Sequence, residues 1–378
     1  MEETQKKAAA MRAPEAGCGI AIRKTEECRW DLLSLGEVML RFDPGGGRIV
    51  GARSFRVWEG GGEYNVARGL RRCFAMRSSI VTALVDNPVG RLVEDMMLQG
   101  GVDTSHVRWV EFDGVGREAR NGLYLLERGF GVRPGMGMMD RGHTAISQMG
   151  PGKVDWDAIF AGEGVRWFHT GGIMAALSDE STEVVREAML SAKRHGIVVS
   201  FDCNYRPSLW KTRGGRRRSI EVNRSLMPLV DVFFGHDGDL AMELGVEAHG
   251  PAWHTLESFH RMAERITGEF PSVKVVATTV RQPRSASRNA WGAFGYSCGE
   301  AFAGPRFDDL EILDRVGGGD SFASGLIYGL LQDKGLEWAL RCGVCHGALA
   351  MTTAGDASMV TLAEVERLMA GGFAGTIR

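Results

Sequence analysis

Several absences narrow this sequence before any motif is read. It has almost no excess of either charge, with Lys and Arg at 45 against Asp and Glu at 47, a net of −2. A chain so balanced has no global field to hold nucleic acid or an anionic membrane surface, and neither is expected as a partner. No apolar run approaches the ~20 residues a membrane span requires. The seven cysteines, Cys18, Cys28, Cys73, Cys203, Cys298, Cys342 and Cys345, form no even, regularly spaced framework. In a chain of 378 residues they read as reduced thiols in a cytoplasm. The first residues are rich in Ala, Lys and Glu and lack the apolar stretch of a signal peptide. Residues 1–29 are expected to be a poorly ordered extension, with Met11 an alternative start, ahead of one large domain over 30–378. Internal repeats and long low-complexity segments are absent too. No Gly-x-Gly-x-x-Gly with a following acidic residue comes after the first strand-like run, which argues against a dinucleotide fingerprint.

What the sequence has is apolar residues, 44% of it, enough to bury a full core and to rule out wholesale disorder. Glycine, 52 of 378 residues, is about twice its ordinary ~7% share and falls in short clusters, pointing to backbone-lined sites. Residues 31–40 form a near-continuous apolar run expected to be one buried strand, and 79–85 a second, with a helix over 63–74. Residues 107–149 change texture to short alternating runs broken by Gly and Pro, as in a small antiparallel sheet set on the main body. Strand-like runs return at 166–170, 197–202, 231–234, 273–279 and 290–296, and helical patterns close the chain at 319–331, 336–352 and 362–369. Such alternation argues for a parallel sheet covered by helices on both faces, with ligands beyond the carboxyl ends of the strands.

Two glycine clusters stand at such strand exits. In Asp314-Arg-Val-Gly-Gly-Gly-Asp-Ser-Phe322 three glycines run into an amphipathic helix, where bare amides and the helix dipole can crowd around an anion. Asp320 adds negative charge at that same helix start. It fits a group that takes a proton from a substrate hydroxyl while the amides hold charge on a transferring phosphoryl group. An ordinary turn with Asp as N-cap carries the same letters. In Trp58-Glu-Gly-Gly-Gly-Glu-Tyr-Asn-Val-Ala67 glycines again precede a helix, with Asn65 in its first turn, a spacing that lets backbone and amide approach a polyhydroxy ligand. Tight-turn capping accounts for it as well.

Together the two elements resemble the paired signatures of the ribokinase-like (PfkB-type) carbohydrate kinases. Asn121-Gly-Leu-Tyr-Leu-Leu-Glu-Arg-Gly129, Arg133-Pro134, Asp140-Arg141 and Phe201-Asp-Cys-Asn-Tyr-Arg-Pro-Ser-Leu-Trp210 are most similar to the 2-keto-3-deoxygluconate kinases. The resemblance implies a three-layer α/β/α sandwich with a small β-sheet lid, its strands within 40–58 and 107–149. It implies transfer of the γ-phosphoryl of ATP, with magnesium, to a hydroxyl of 2-keto-3-deoxygluconate or a related sugar acid, and leaves room for a monovalent cation. On that resemblance Asp320 is the base, Gly317, Gly318 and Gly319 form the anion hole, and Gly61, Gly62 and Asn65 contact the sugar. Tyr124, Arg141 and Arg206 hold the substrate; His236 and Thr278 face the nucleotide; Asp239 reaches the metal through water. A carboxylate enclosed under a lid needs a partner, and guanidinium suits it bidentately. Arg206 also follows a strand at the expected sheet edge.

The resemblance is incomplete where His236-Asp-Gly-Asp239 stands for the family's Asn-x-x-Glu, where Arg315 replaces a Thr, and at Met139, where some sugar-acid kinases carry an aromatic residue. A neutral sugar or nucleoside acceptor, or a catalytically weak sugar-binding regulator, is the alternative. The lid edge admits a homodimer by strand pairing. Cys342-Gly-Val-Cys345-His346 spells a haem-attachment pattern, but within a helical stretch it reads as buried thiols. Arg213 to Arg218 read as a solvated loop leading to a helix. His169 is read either as site-lining or as a structural histidine, and Asp202 and Asn204 as shaping the sheet edge.

Overall fold

The computed structural model describes residues 19–236, 239–246 and 255–372. In chain order the strands are β1 (Leu32–Leu35), β2 (Met39–Asp43), β3 (Arg56–Gly60), β4 (Ser78–Val85), β5 (Val107–Val110), β6 (Gly122–Glu127) and β7 (Met136–Asp140). There follow β8 (Trp167–Gly171), β9 (Val198–Asp202), β10 (Val232–His236), β11 (Val275–Ser285), β12 (Arg288–Ser297), β13 (Glu300–Ala303) and β14 (Phe307–Glu311). The main sheet runs β13-β12-β11-β10-β9-β8-β1-β4-β5, with β14 beside β12. It is parallel from β5 to β11 and antiparallel beyond. Because successive side chains leave a strand on opposite faces, Leu33, Phe168 and Phe233 pack under the helices Asp179–Arg194 and Leu256–Glu269. Leu32, Trp167 and Val232 pack under Gly62–Phe74, Gly318–Leu331 and Leu336–Ala350. The result is the expected three-layer α/β/α sandwich, carrying a second sheet of order β3-β2-β6-β7 as its lid.

Three expectations need correction. The run 31–40 is two strands in two sheets: the chain leaves β1 at Gly36, where Glu63 Oε2 would lie 2.3 Å from any Cβ, and enters the lid as β2. β1 is buried throughout and β2 at every position but Phe42, so hydrophobicity could not mark the break. The Val107–Val110 strand is no part of the lid but pairs in parallel with β4 as a half-buried edge. The lid itself is mixed, since β2 and β6 run parallel.

Of the extension expected over 1–29, residues 1–18 lie outside the described residues. Residues 19–29 pack on the body: Arg166 Nε donates to Arg23 O (2.9 Å) and Arg77 Nη1 to Cys28 O (2.7 Å). The β11–β12 hairpin runs past the sheet to a turn at Ala286–Ser287. There Ala286 N donates to Gly131 O (2.8 Å), fastening the lid's β6–β7 loop to the hairpin tip. Among the described residues no helix is long and apolar enough to cross a membrane.

Candidate active site

The two glycine clusters meet because their helices pack closely. Helix Gly62–Phe74 crosses helix Gly318–Leu331 at Gly69, where a Cβ would stand 2.7 Å from Ser324 Oγ. This brings the two N-termini side by side, and Asn65 Nδ2 donates to Asp320 Oδ2 at 2.7 Å. Gly317 starts the second helix at φ +78°, the left-handed region, with no side chain capping the turn. The first-turn amides are therefore left to a ligand, beside the positive end of the helix dipole.

Asp320 keeps some accessible surface on the cavity it lines, yet protein encloses it deeply. Burial pushes its carboxyl up to about 7, against the Asn65 hydrogen bond, with the charges of Asp202 and Asp356 adding to the rise and Arg206 opposing it. A carboxylate titrating near neutrality is suited to accept a hydroxyl proton. Its neighbour Glu63 sits between Gly36 and Gly171. Burial, with Asp202 and Asp320 facing it, pushes that carboxyl up to about 8.

A cavity of about 600 Å³ opens over Asp320. Gly61, Gly62, Asn65, Tyr124, Arg141, Arg206, His236 and Gly317–Gly319 all line it, so eleven of the thirteen residues singled out from the sequence, Asp320 included, converge. Met139 and Asn204 line it as well. Arg141 comes from the lid, its Nε 3.5 Å from Glu37 Oε2, and Thr144 Oγ1 donates to Glu37 Oε1 (2.8 Å). Arg206 follows β9, exposed, with Nη1 donating to Tyr205 O (3.1 Å). The His236 ring lies against the glycine turn, with a Gly319 Cβ placed 2.9 Å from its Cε1, and Nδ1 is 3.3 Å from Thr279 Oγ1.

Thr278 is a correction by one residue. Strand alternation turns it into the core at 1% exposure and delivers Thr279 to the cavity. Asp239 opens the short helix Asp239–Glu243 beyond β10, and its side chain lies outside the described residues. His169 is structural: it is buried, its Nδ1 is 2.8 Å from Ser200 Oγ, and burial pushes it down to about 3. Cys342 and Cys345 are buried on helix Leu336–Ala350, and burial pushes the Cys345 thiol up to about 11. The adjacent His346 is bonded within the core to Ser321 O at 2.8 Å. Arg213 stacks on Trp210 at 4.8 Å ahead of helix Gly215–Leu226.

Sequence reasoning missed Asp356 and Arg41. Asp356, in the loop after helix Leu336–Ala350, lines the cavity and accepts from Tyr124 Oη and, at 2.7 Å, from Arg41 Nη1. Burial, partly offset by Arg41, pushes its carboxyl up to about 6. Neither residue falls in a glycine cluster, and no spacing in the sequence points to their meeting.

Residues 31–362 match the pfkB family carbohydrate kinase. The chain is 31% identical to the 2-dehydro-3-deoxygalactonokinase of Haloferax volcanii over 92% of this chain and 99% of that one. It is 32% identical to the 2-dehydro-3-deoxygluconokinase of Thermoproteus tenax, over 88% and 92%. The crystal structure of the 2-dehydro-3-deoxygluconokinase of Thermotoga maritima superposes with a TM-score of 0.83 at 32% identity, covering 90% of this chain and 98% of that one.

Proposed function

The chain belongs to the pfkB family of carbohydrate kinases, and from that membership we propose that it phosphorylates 2-keto-3-deoxygluconate or a closely related sugar acid, using the magnesium complex of ATP. The observation that carries this reading is the convergence, on one cavity, of a carboxylate titrating near 7, a bare glycine turn and two arginines, one following a lid strand and one following β9.

The acceptor lies beneath the lid with its carboxylate between Arg141 and Arg206 and its hydroxyl on Asp320. Phosphoryl transfer asks little covalent help of a protein, mainly positioning and neutralisation of charge. The hydroxyl oxygen bonds to the γ-phosphorus as the bond to the β–γ bridging oxygen breaks. Asp320 takes the hydroxyl proton, and the Gly317–Gly319 amides hold charge on the phosphoryl oxygens. Magnesium arrives with the nucleotide and supplies further neutralisation. Such a metal is carried mainly by phosphates and water. Asp239 is the carboxylate assigned to it through water, and His236 and Thr279 the side chains nearest the polyphosphate. Closure of the lid keeps water from the γ-phosphate.

The test is ATP consumption with 2-keto-3-deoxygluconate, its galactonate epimer, gluconate, fructose, ribose and adenosine. Turnover confined to the keto-deoxy acids is expected; comparable turnover with fructose or ribose would remove the carboxylate argument. Arg141→Met and Arg206→Met should each raise KM for the acid by roughly ten- to a hundred-fold, the worth of one charge-assisted contact. A weak neutral substrate should be affected far less, and equal losses on both would sink the assignment. The activity should also fall about tenfold per pH unit below about 7, where Asp320 becomes protonated, as a kcat/KM profile from pH 5 to 9 would read. The homodimer expected from the lid belongs to this reading too: β7 is an edge strand with Met136 and Met138 exposed. Light scattering decides it.

A further inference from the structure

Arg41 is a charged side chain that the reaction outlined above does not use, and it is 0% exposed. It stands on β2, in the lid. Its Nη1 donates to Asp356 Oδ1 at 2.7 Å, and its Nη2 to Asp314 Oδ2 at 2.5 Å and to Asp43 Oδ2 at 3.1 Å. One guanidinium thus joins three segments far apart in sequence: a lid strand, the residue that opens the glycine-rich motif, and the loop that follows helix Leu336–Ala350. Burying such a group is costly and contributes little net stability, so its place is better explained by what it positions.

Each partner leads to the phosphoryl site. Asp314 Oδ1 accepts from Val316 N (3.3 Å), at the entry to the glycine turn, and Oδ2 from Gly355 N (3.3 Å), so it also holds the neighbouring loop. The Asp356 carbonyl oxygen lies so near Gly317 that a Cβ there would be 1.6 Å away. The lid presses on the same loop at three more points: Trp58 against Gly355, Gly60 against the Asp356 carboxylate, and Tyr124 through its hydroxyl. Lifting β2 would withdraw the cation that Asp314 and Asp356 share and leave two carboxylates facing each other beneath the turn.

We propose that Arg41 is a positioning residue that couples closure of the lid to assembly of the glycine-rich anion hole, so that the phosphoryl group is held only when the acceptor is covered. Fork geometry explains why arginine serves here: a lysine ammonium is a single point that cannot span carboxylates on separate segments. The proposal rests on the kinase reading above and does not depend on which sugar is accepted.

The experiment compares wild type, Arg41→Lys and Asp314→Asn for kcat, for KM of ATP and sugar, and for the ratio of sugar phosphate formed to ADP formed. Expected are a kcat lowered roughly ten- to a hundred-fold, the range of a typical coupling energy, an ATP KM changed less than about threefold, and a product ratio falling below that of wild type as ATP is lost to water. Arg41→Ala should recover part of its kcat in millimolar guanidinium, and its product ratio should recover with it. Where Arg41→Ala alone fails to fold, Arg41→Met with Asp314→Asn and Asp43→Asn removes two of the three stranded charges and is measured instead. Folded variants with wild-type kcat and product ratio would overturn the proposal, as would sugar-independent ATP hydrolysis by wild type at the coupled rate. If wild type accepts only a neutral sugar, the sugar-acid reading fails and the same comparison is made on that sugar.

Discussion

Asp320→Asn is expected to lower kcat by about 10³-fold, the usual worth of a positioned general base, while acceptor and nucleotide still bind. The amide keeps the shape of the carboxyl, and its oxygen can still accept from Asn65 Nδ2, which stands 2.7 Å from Oδ2. What disappears is the capacity to take a proton. The same substitution should stabilise the fold, increasingly as pH rises above about 4. The Asp320 carboxyl titrates near 7 in the folded chain against an ordinary 3.8, so the folded state retains its proton to higher pH than the unfolded state does. From about pH 4 to 7 stability therefore falls as pH rises. Above 7 the fold bears the whole cost of a buried charge, on the order of 4 kcal/mol for a shift of about three units. Asparagine carries no such charge, and Glu63, which faces Asp320, loses a repulsive neighbour. Melting at pH 8 should show the variant well above wild type, with the gap narrowing at pH 5 and closing below about pH 4. Near-normal turnover would refute the base assignment, and a gap independent of pH would refute the buried-charge account.

The site was legible where the chemistry is local. Glycines before a helix, with Asn65 or Asp320 in the first turn, state both the conformation and the donor groups within a few residues, and those residues converge on the cavity. The parallel sheet was legible as well, because its strands are apolar on both faces. Contacts made across the whole chain could not be read. Arg41 and Asp356 are separated by 315 positions, and nothing near either one signals the other. A buried arginine also looks, in sequence, like a solvated one. The break between β1 and β2 was hidden for the opposite reason: both strands are buried, and Gly36 was the sole local mark of a chain leaving one sheet for another. Thr278 and Thr279 show the limit of placing a strand without its register, since a slip of one residue exchanges core for cavity.

Gly317→Ala should be the most damaging of the three substitutions in the glycine turn, and the order among them tests the geometry of the anion hole. At Gly317 the backbone is left-handed, at φ +78°, which costs an L-residue roughly 1–2 kcal/mol. The new Cβ would also lie 1.6 Å from the Asp356 carbonyl oxygen, and no rotamer change can relieve a clash with backbone. Either the turn or the Asp356 loop must move. That loop is held by Arg41 and Tyr124, so the turn is the part free to yield, and its amides leave their positions. At Gly318 the obstacle is the Met351 side chain, with Cγ at 3.1 Å, and methionine can give way. At Gly319 the obstacle is the His236 ring, with Cε1 at 2.9 Å, an intermediate case that displaces a side chain of the cavity itself. Losing an anion-hole donor typically lowers kcat by about 10²–10³-fold. Gly317→Ala should reach that range and lower stability by about 3 kcal/mol or more. Gly318→Ala should keep kcat within roughly tenfold of wild type. Gly46→Ala, where nothing stands within 4 Å, is the control and should match wild type. Kinetics and thermal melting on the four variants decide the matter, and a Gly317→Ala enzyme as active as Gly318→Ala would mean that the turn does not hold the phosphoryl group.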